Sequence, residues 1–234
     1  MSVDRLRAFN ERHNPVSRRR WSSYRDPLAL VRDHFAQRSS LEHINYSSMR
    51  DTIALLGGQP QVILETGSSA WGTDSTRLWD AYVRSFGGEL WSVDLREEPR
   101  ERLRGLVGRH TRLVCDDSVA FLGTWAADHP GVQAGLVYLD SYDVDFTDPM
   151  PAAEHCVAEL AAALPTLGPG SLVLVDDSPG TREDMPEEWR DTGDAVFERL
   201  GLWPGKGMLL DGWLAEHEVA HEKLHHRYQV LYRF

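Results

Sequence analysis

Residues 62–73, VILETGSSAWGT, constrain the fold of this chain more than any other part of the sequence. An apolar, β-branched run ends in an acidic residue, passes through a Gly/Ser turn and continues into residues of helical character. Such a turn presents backbone N–H groups and a helix N-terminus to a polar ligand. The segment therefore predicts a strand–turn–helix unit that binds a cofactor, although a purely structural turn has the same pattern.

Four further runs of the same kind follow, at residues 89–95, 111–116, 134–140 and 171–177, and helical segments separate them. Runs that are apolar throughout are typical of parallel strands buried on both faces. Near the end of the chain, residues 205–213 and 226–234 predict two more strands, spaced for an antiparallel hairpin. We therefore predict an α/β fold: a Rossmann-like, seven-stranded mixed sheet of five parallel strands plus a terminal antiparallel hairpin, with helices on both faces.

Two predicted helices, over about residues 26–37 and 40–56, precede the first strand. We predict that residues 1–60 form an N-terminal helical cover and that residues 61–234 form the cofactor-binding domain. Residues 1–24 are polar and rich in arginine, and partial disorder is expected there. The two helices are also a candidate surface for a homodimer.

The net charge of −11 limits the classes of partner. A nucleic-acid binder needs a basic surface that neutralises phosphates, and anionic membranes also repel an acidic protein. No apolar run reaches the roughly 18 residues of a membrane span, and the polar N-terminus has no apolar block of a secretory signal. With only Cys115 and Cys156, unpaired thiols and a cytoplasmic location are expected.

From residue 61 onward the chain resembles the class I S-adenosyl-L-methionine (SAM)-dependent methyltransferases. The resemblance implies that SAM is held by the first turn, by an acid after the second strand that binds the ribose hydroxyls, by polar residues near the adenine and by an acid after the fourth strand. In this sequence these are Glu65, Gly67, Ser68, Ser69, Gly72, Asp94, Asp117, Ser118 and Asp140. A nicotinamide site is the nearest rival, but the second glycine of its G-x-G-x-x-G motif is absent.

Three aspartates, Asp140 after the fourth strand and Asp176 and Asp177 after the fifth, are predicted to meet at the carboxyl edge of the sheet. This set resembles that of the metal-dependent O-methyltransferases of the catechol and macrolide-sugar types, which implies a Mg²⁺ ion bound by these residues. Oxygen-only ligands suit such a hard cation. The alternative is that the paired acids cap the next turn.

The catechol-type enzymes carry a lysine base three residues after the strand-four aspartate, where this chain has Asp143. The candidate catalytic residues are therefore Asp140 and Asp143, with His43 and His155 as histidines able to take a hydroxyl proton near neutral pH. No base is needed if a metal ion acidifies the hydroxyl.

The predicted function is SAM-dependent transfer of a methyl group to a hydroxyl of a small molecule, assisted by a divalent metal ion. The alternatives are a metal-independent O- or N-methyltransferase and a SAM-binding protein without catalysis. A zinc hydrolase is suggested only by residues 217–221, HEVAH, which match H-E-x-x-H. No acidic third ligand follows Glu222, so a solvated connection is the preferred interpretation of that segment.

Overall fold

The computed structural model describes residues 24–68 and 73–234. The disorder predicted for the first residues therefore lies outside the described part of the chain, except at Tyr24. The secondary structure begins with two helices and then alternates strand and helix up to the fifth strand. The elements are α1 (Pro27–Arg38), α2 (Tyr46–Leu56), β1 (Gln61–Thr66), α3 (Ser75–Phe86), β2 (Gly88–Asp94), α4 (Glu97–Leu103), β3 (Thr111–Cys115), α5 (Ser118–Asp128), β4 (Leu136–Leu139), α6 (Met150–Ala163), β5 (Leu172–Val175), α7 (Arg190–Leu200), α8 (Leu210–Glu216), β6 (Glu222–His226) and β7 (Val230–Arg233), with 3-10 helices at Leu164–Thr166, Glu187–Trp189 and Lys206–Leu209.

The seven strands form one sheet in the order β3-β2-β1-β4-β5-β7-β6. Strands β1 to β5 are parallel, and β7 runs antiparallel to its two neighbours, β5 and β6. This arrangement confirms the predicted mixed α/β sheet. The chain moves from β1 outward to β3 and then returns to the other side of β1 as β4, so the strand order reverses between β1 and β4. Ligands of open α/β sheets bind at such a reversal, beyond the carboxyl ends of the strands.

Two apolar clusters cover the two faces of the sheet. Helices α1, α2 and α3 pack on one face around Phe35, Trp79 and Tyr82, and helices α5, α6 and α8 pack on the other around Trp125 and Leu160. Every residue of β4 and β5 is buried, as expected for strands that have helices on both sides. No helix in the described part of the chain is both long and apolar enough to cross a membrane. The thiols of Cys115 and Cys156 are unpaired, as predicted, although Cys115 is exposed.

The strand predicted at residues 205–213 is wrong. That segment forms a 3-10 helix followed by α8, and the sixth strand is Glu222–His226. Leu210 and Leu214 lie four residues apart and are both fully buried, which is the spacing of a helix face and not of a strand. Strand β6 is a polar edge strand, so it lacks the apolar pattern by which the inner strands are predicted.

The HEVAH segment does not form the helix that a zinc hydrolase needs. His217 is the residue that ends α8, and Glu218 has a left-handed backbone with φ 54°. His217 and His221 therefore do not share a helix face, and each ring bonds a nearby backbone carbonyl through Nδ1. The segment connects α8 to β6, in agreement with the preferred interpretation.

Helix α1 holds the segment that leads into α3. The Nε2–H of His34 donates to the carbonyl of Thr73 at 2.6 Å, and Arg38 pairs with Asp74 at 2.7 Å. Burial lowers the pKa of His34 from 6.5 to about 4, although the bond to Thr73 opposes the shift. The folded state therefore disfavours protonation of this imidazole.

We expect the stability of the protein to fall as the pH drops from 6.5 towards 4, because the unfolded state binds the His34 proton first. The contribution of His34 to this fall is about 2 kcal/mol between pH 7 and pH 4.5. His34→Gln keeps an N–H donor and does not titrate, so urea unfolding of this variant should show a smaller pH dependence by that amount. His110→Gln, at an exposed histidine, is the control. An unchanged pH dependence in His34→Gln would contradict the assignment.

Candidate functional site

A cavity of about 240 Å³ lies at the carboxyl edge of the sheet, where the strand order reverses. Its walls come from the segment before α2, from the turns after β1, β2, β4 and β5, and from the turn before β7. The lining residues are His43, Ile44, Asn45, Gly67, Ser68, Asp94, Arg96, Asp140, Ser141, Asp143, Asp176, Asp177 and Tyr228. Eight of the residues proposed from the sequence are among them, which brings together side chains up to 134 positions apart in the chain.

The turn after β1 lies directly against the end of β4. Gly67 has φ +81°, and a Cβ atom built on it would be 2.1 Å from the carbonyl oxygen of Asp140. Only glycine fits this approach, because any side chain would collide with the backbone of the neighbouring strand. Ser69 and Gly72, which the sequence also assigns to the cofactor turn, lie outside the described residues.

Asp94 is bonded to this turn. Its Oδ2 accepts from the backbone N–H of Ser68 at 3.1 Å, and its Oδ1 accepts from the backbone N–H and the Nε of Arg96. The Arg96 side chain is 61% exposed, so a ligand with two hydroxyl groups can displace it at small cost. This position suits the ribose-binding role that the resemblance implies for Asp94.

Glu65 lies beneath the turn and does not line the cavity. It pairs in register with Ser92 on β2, whose hydroxyl donates to Glu65 Oε2 at 2.5 Å and lies 2.7 Å from the hydroxyl of Ser68. Burial raises the pKa of Glu65 to about 7, although hydrogen bonds from Ser92 and other hydroxyl groups oppose the shift. Direct contact between Glu65 and the cofactor therefore stays a prediction.

Asp117 and Ser118, the residues predicted near the adenine, are not among those that line the cavity. Asp117 caps α5, and the hydroxyl of Ser118 lies 3.0 Å from Nε2 of His155. His155 is also 3.6 Å from Glu159, whose hydrogen bond raises the pKa of this imidazole. Ser141, a lining residue, donates to the same Glu159 at 2.7 Å. His155 is therefore one side chain away from the cavity, because Ser141 lies between them.

His43 and Asp143 are the two candidate bases that line the cavity. Nδ1 of His43 accepts from the backbone N–H of Asn45 at 3.2 Å, which leaves the proton of the neutral ring on Nε2. Burial lowers the pKa of His43, and the charge of Asp176 opposes the shift. Asp143 is exposed at the cavity mouth.

The three aspartates of the acidic edge, Asp140, Asp176 and Asp177, surround a lysine that the sequence analysis missed. The Nζ of Lys206 is 2.5 Å from Oδ1 of Asp140 and 3.0 Å from Oδ2 of Asp177. Burial lowers the pKa of Lys206, but Asp140, Asp177 and Asp176 together raise it well above its ordinary value. This lysine is therefore a fixed positive charge, 3% exposed, inside the acidic edge.

Protein donors also hold the remaining oxygens of the acidic edge. The Tyr138 hydroxyl donates to Asp176 at 2.6 Å, and the Asn45 amide contacts both oxygens of the same carboxylate. The Tyr228 hydroxyl donates to Asp177 at 2.6 Å. Burial raises the pKa of Asp140 and of Asp176, and the charge of Lys206 opposes both shifts.

One signal in the sequence could have drawn attention to Lys206. The chain contains only two lysines, Lys206 and Lys223, among its 25 basic residues. Lys206 also stands between two glycines in a segment predicted to be a strand, and that wrong prediction hid its position at the sheet edge.

The comparisons with known proteins address the fold. Neither a scan against protein families nor a search of curated proteins found a match. Among solved structures, the MycE methyltransferase of mycinamycin biosynthesis, solved with Mg, S-adenosylhomocysteine (SAH) and mycinamycin VI, aligns with 91% of this chain at 17% identity and a TM-score of 0.58. The calicheamicin methyltransferase CalS11 aligns with all of it at 16% identity and a TM-score of 0.54, over 94% of its own length. The chain has the class I methyltransferase fold.

The aligned part covers 55% of MycE, so the chain spans about half the length of that protein. At these identities the likeness concerns the fold, and the reaction has to be argued from the site. The methyltransferase fold places the turn after β1 and the ends of β2 and β4 around one cavity, as described above.

The residues at the acidic edge do not fit the predicted divalent cation. Within residues 24–68 and 73–234, no group of three or more His, Cys, Asp or Glu side chains is placed to hold a metal ion. The ammonium group of Lys206 lies between the two carboxylates that would supply ligands from β4 and β5. A dication at this place would meet a fixed positive charge and carboxylates that already accept protein hydrogen bonds.

Proposed function

We propose that the protein is a SAM-dependent methyltransferase that transfers a methyl group to a hydroxyl of a small molecule. The observation that carries the proposal is the cavity at the reversal of strand order, in which Gly67, Ser68, Asp94 and Asp140 converge. In a methyltransferase fold these are the positions that the resemblance assigns to the methionine and ribose parts of SAM. The sequence of residues 67–72 lacks the second glycine of a nicotinamide motif, and His217 and His221 do not share a helix face, so neither rival has the same support.

The protein's part in the reaction is to align the reactants and to exclude water. The turn at Gly67 and Ser68 presents backbone to the methionine end, and Asp94 accepts hydrogen bonds from the ribose hydroxyls. The sulfonium group of SAM carries the reactive methyl group, so the acceptor oxygen needs only an in-line approach and a group that takes its proton. Asp143 suits this second role better than His43, because the free nitrogen of the neutral His43 ring carries a hydrogen.

A small hydroxylated acceptor agrees best with the site. The binding site is lined by five aspartates and a single arginine, so it is not a basic groove, and a net charge of −11 opposes the approach of nucleic acid. CalS11 is described as a TDP-rhamnose 3'-O-methyltransferase, and MycE was solved with a macrolide. We therefore propose sugar-bearing or similar hydroxylated compounds as the acceptor class. A cytoplasmic location and a homodimer are separate proposals.

Isothermal titration with SAH tests the cofactor site. We expect SAH to bind the wild-type protein and Asp94→Ala to weaken binding by roughly 10- to 100-fold, because a charged acceptor of the ribose hydroxyls is lost. Asp128→Ala, at an exposed aspartate on α5, is the matched control and should leave binding unchanged. Methyl transfer from labelled SAM to a panel of nucleoside-diphosphate sugars then tests the acceptor class.

Two results would contradict the proposal. One is that the folded wild-type protein does not bind SAH. The other is that Asp94→Ala and Asp128→Ala bind it equally well. Binding of SAH without turnover on any hydroxyl or amine would instead favour the non-catalytic alternative.

A further inference from the structure

We propose that Lys206 is a built-in cation that replaces the divalent metal ion at the acidic edge, so that this site works without metal. The catalytic role of Lys206 rests on the methyltransferase function proposed above. Independently of catalysis, the proposal says that the ammonium group of Lys206 balances the negative charge of Asp140, Asp176 and Asp177.

The ammonium group of Lys206 lies between the ends of two neighbouring strands. It bridges Asp140, which follows β4, and Asp177, which follows β5, at 2.5 and 3.0 Å. These are the two strand ends whose acids hold the metal ion in the metal-dependent enzymes that the chain resembles. The lysine therefore contacts the carboxylates that a metal ion at this edge would need.

The carboxylates of the acidic edge also accept hydrogen bonds from protein donors. Lys206 occupies one oxygen of Asp140 and one of Asp177, and Tyr228 occupies the other oxygen of Asp177. Asp176 accepts from Tyr138, from Asn45 and from the backbone N–H of Asp177. Protein donors thus already provide the contacts that a bound metal ion would otherwise make with the three clustered carboxylates.

The backbone around Lys206 shows that its position is part of the fold. The N–H of Lys206 donates to the carbonyl of Asp177 at 2.9 Å, and the N–H of Gly207 donates to the hydroxyl of Ser178 at 2.9 Å. A Cβ atom on Gly205 would be 2.4 Å from the same carbonyl of Asp177. The 3-10 helix that carries the lysine is therefore packed against the turn after β5 and delivers the ammonium group from one direction.

Lys206 does not line the cavity, so its role in catalysis is that of a positioning residue. It fixes the carboxylates of Asp140 and Asp177, which do line the cavity proposed for the reactants. It also keeps the charge of the acidic edge constant, since a covalently attached cation is not lost to chelators or to dilution.

The test uses the whole 234-residue chain with Mn²⁺ as the probe and Lys206→Ala as the main variant. In the wild type, neither EDTA nor millimolar Mn²⁺ should change Tm, and electron paramagnetic resonance should show no Mn²⁺ bound. Lys206→Ala leaves three clustered carboxylates, two of them buried, without their cation, so its Tm should fall by roughly 10 °C. Mn²⁺ should restore a large part of that loss, because it now finds an acidic site.

Two further variants keep the result interpretable. Lys223→Ala removes the other lysine, which makes a partly exposed pair with Asp211, and it should neither lose much stability nor gain Mn²⁺ binding. Lys206→Met combined with Asp177→Asn restores the original net charge of the cluster, so it should recover stability without Mn²⁺. If Lys206→Ala fails to fold, this double variant and the wild-type Mn²⁺ titration still decide the question.

Mn²⁺ binding by the wild type at the acidic edge, or loss of wild-type methyl transfer in EDTA, would overturn the proposal. So would a Lys206→Ala protein that is as stable as the wild type. These results are separate from the SAH titration. A wild type that binds SAH and also binds Mn²⁺ at this edge refutes the built-in cation but not the methyltransferase. A wild type that binds neither Mn²⁺ nor SAH refutes the methyltransferase function but not the role of Lys206 as the cation of the acidic edge.

Discussion

Replacing Gly67 with alanine is expected to abolish SAH binding and to lower Tm by roughly 10 °C. The residue has φ +81°, a conformation that costs alanine about 1 kcal/mol. The larger part of the cost comes from the collision, because the added Cβ atom would be 2.1 Å from the carbonyl oxygen of Asp140 and 2.9 Å from Cα of Ser141. The turn after β1 must then separate from β4, and the cavity between them loses its shape.

Gly131→Ala is a matched control for this variant. Gly131 has a similar φ of +78°, but no atom lies within 4 Å of the Cβ position. It should therefore show only the conformational cost of about 1 kcal/mol and unchanged SAH binding. Differential scanning calorimetry and titration with SAH measure both effects. Equal losses in the two variants would show that the approach of Gly67 to Asp140 is not what shapes the site.

Replacing Glu65 with glutamine is expected to stabilise the protein at pH 8 by about 2 kcal/mol. Burial raises the pKa of Glu65 from 4.5 to about 7, so the folded state binds this proton more tightly than the unfolded state does. The stability that the protonated carboxyl contributes is present below pH 4.5 and is lost as the pH rises through 7. Glutamine stays neutral and can still accept the hydrogen bond from Ser92, so it avoids that loss.

Urea unfolding at pH 4.5 and pH 8 measures the effect. Glu65→Gln should gain stability over the wild type only at the higher pH, whereas Glu101→Gln, at an exposed glutamate on α4, should show no such difference. SAH binding should survive in Glu65→Gln, because the side chain lies beneath the turn and not in the cavity. Loss of stability at pH 8 would contradict the raised pKa of the buried Glu65 carboxyl, and loss of SAH binding would support its predicted cofactor contact.

Much of the sheet was predictable because its signals are local. Strands β1, β4 and β5 are short apolar runs, and each such run predicts a buried strand without knowledge of its neighbours. The acids at the ends of β2, β4 and β5 were predictable for the same reason, since parallel strands bring their carboxyl ends to one edge. Strand β6 was missed because an edge strand exposed to water carries little apolar pattern.

The partners of those acids were not predictable in the same way. Lys206 reaches Asp140 across 66 positions of the chain, and Asn45 reaches Asp176 across 131. Nothing in the local sequence of either donor indicates its target, because such contacts depend on how the helical cover and the segment after α7 pack against the sheet. The acidic edge therefore had the composition of a metal site in the sequence and the contacts of an ion-paired cluster in the structure.

The sequence by itself determined the class of fold and the edge of the sheet at which the candidate site lies. Strand periodicity and strand ends are properties of neighbouring residues, and they place Gly67, Asp94, Asp140 and Asp176 together whatever surrounds them. Only the tertiary structure decided which charge balances the carboxylates, because an ammonium group is effective only within a few ångströms of them in a buried site. That distance was set by the packing of a 3-10 helix against the turn after β5.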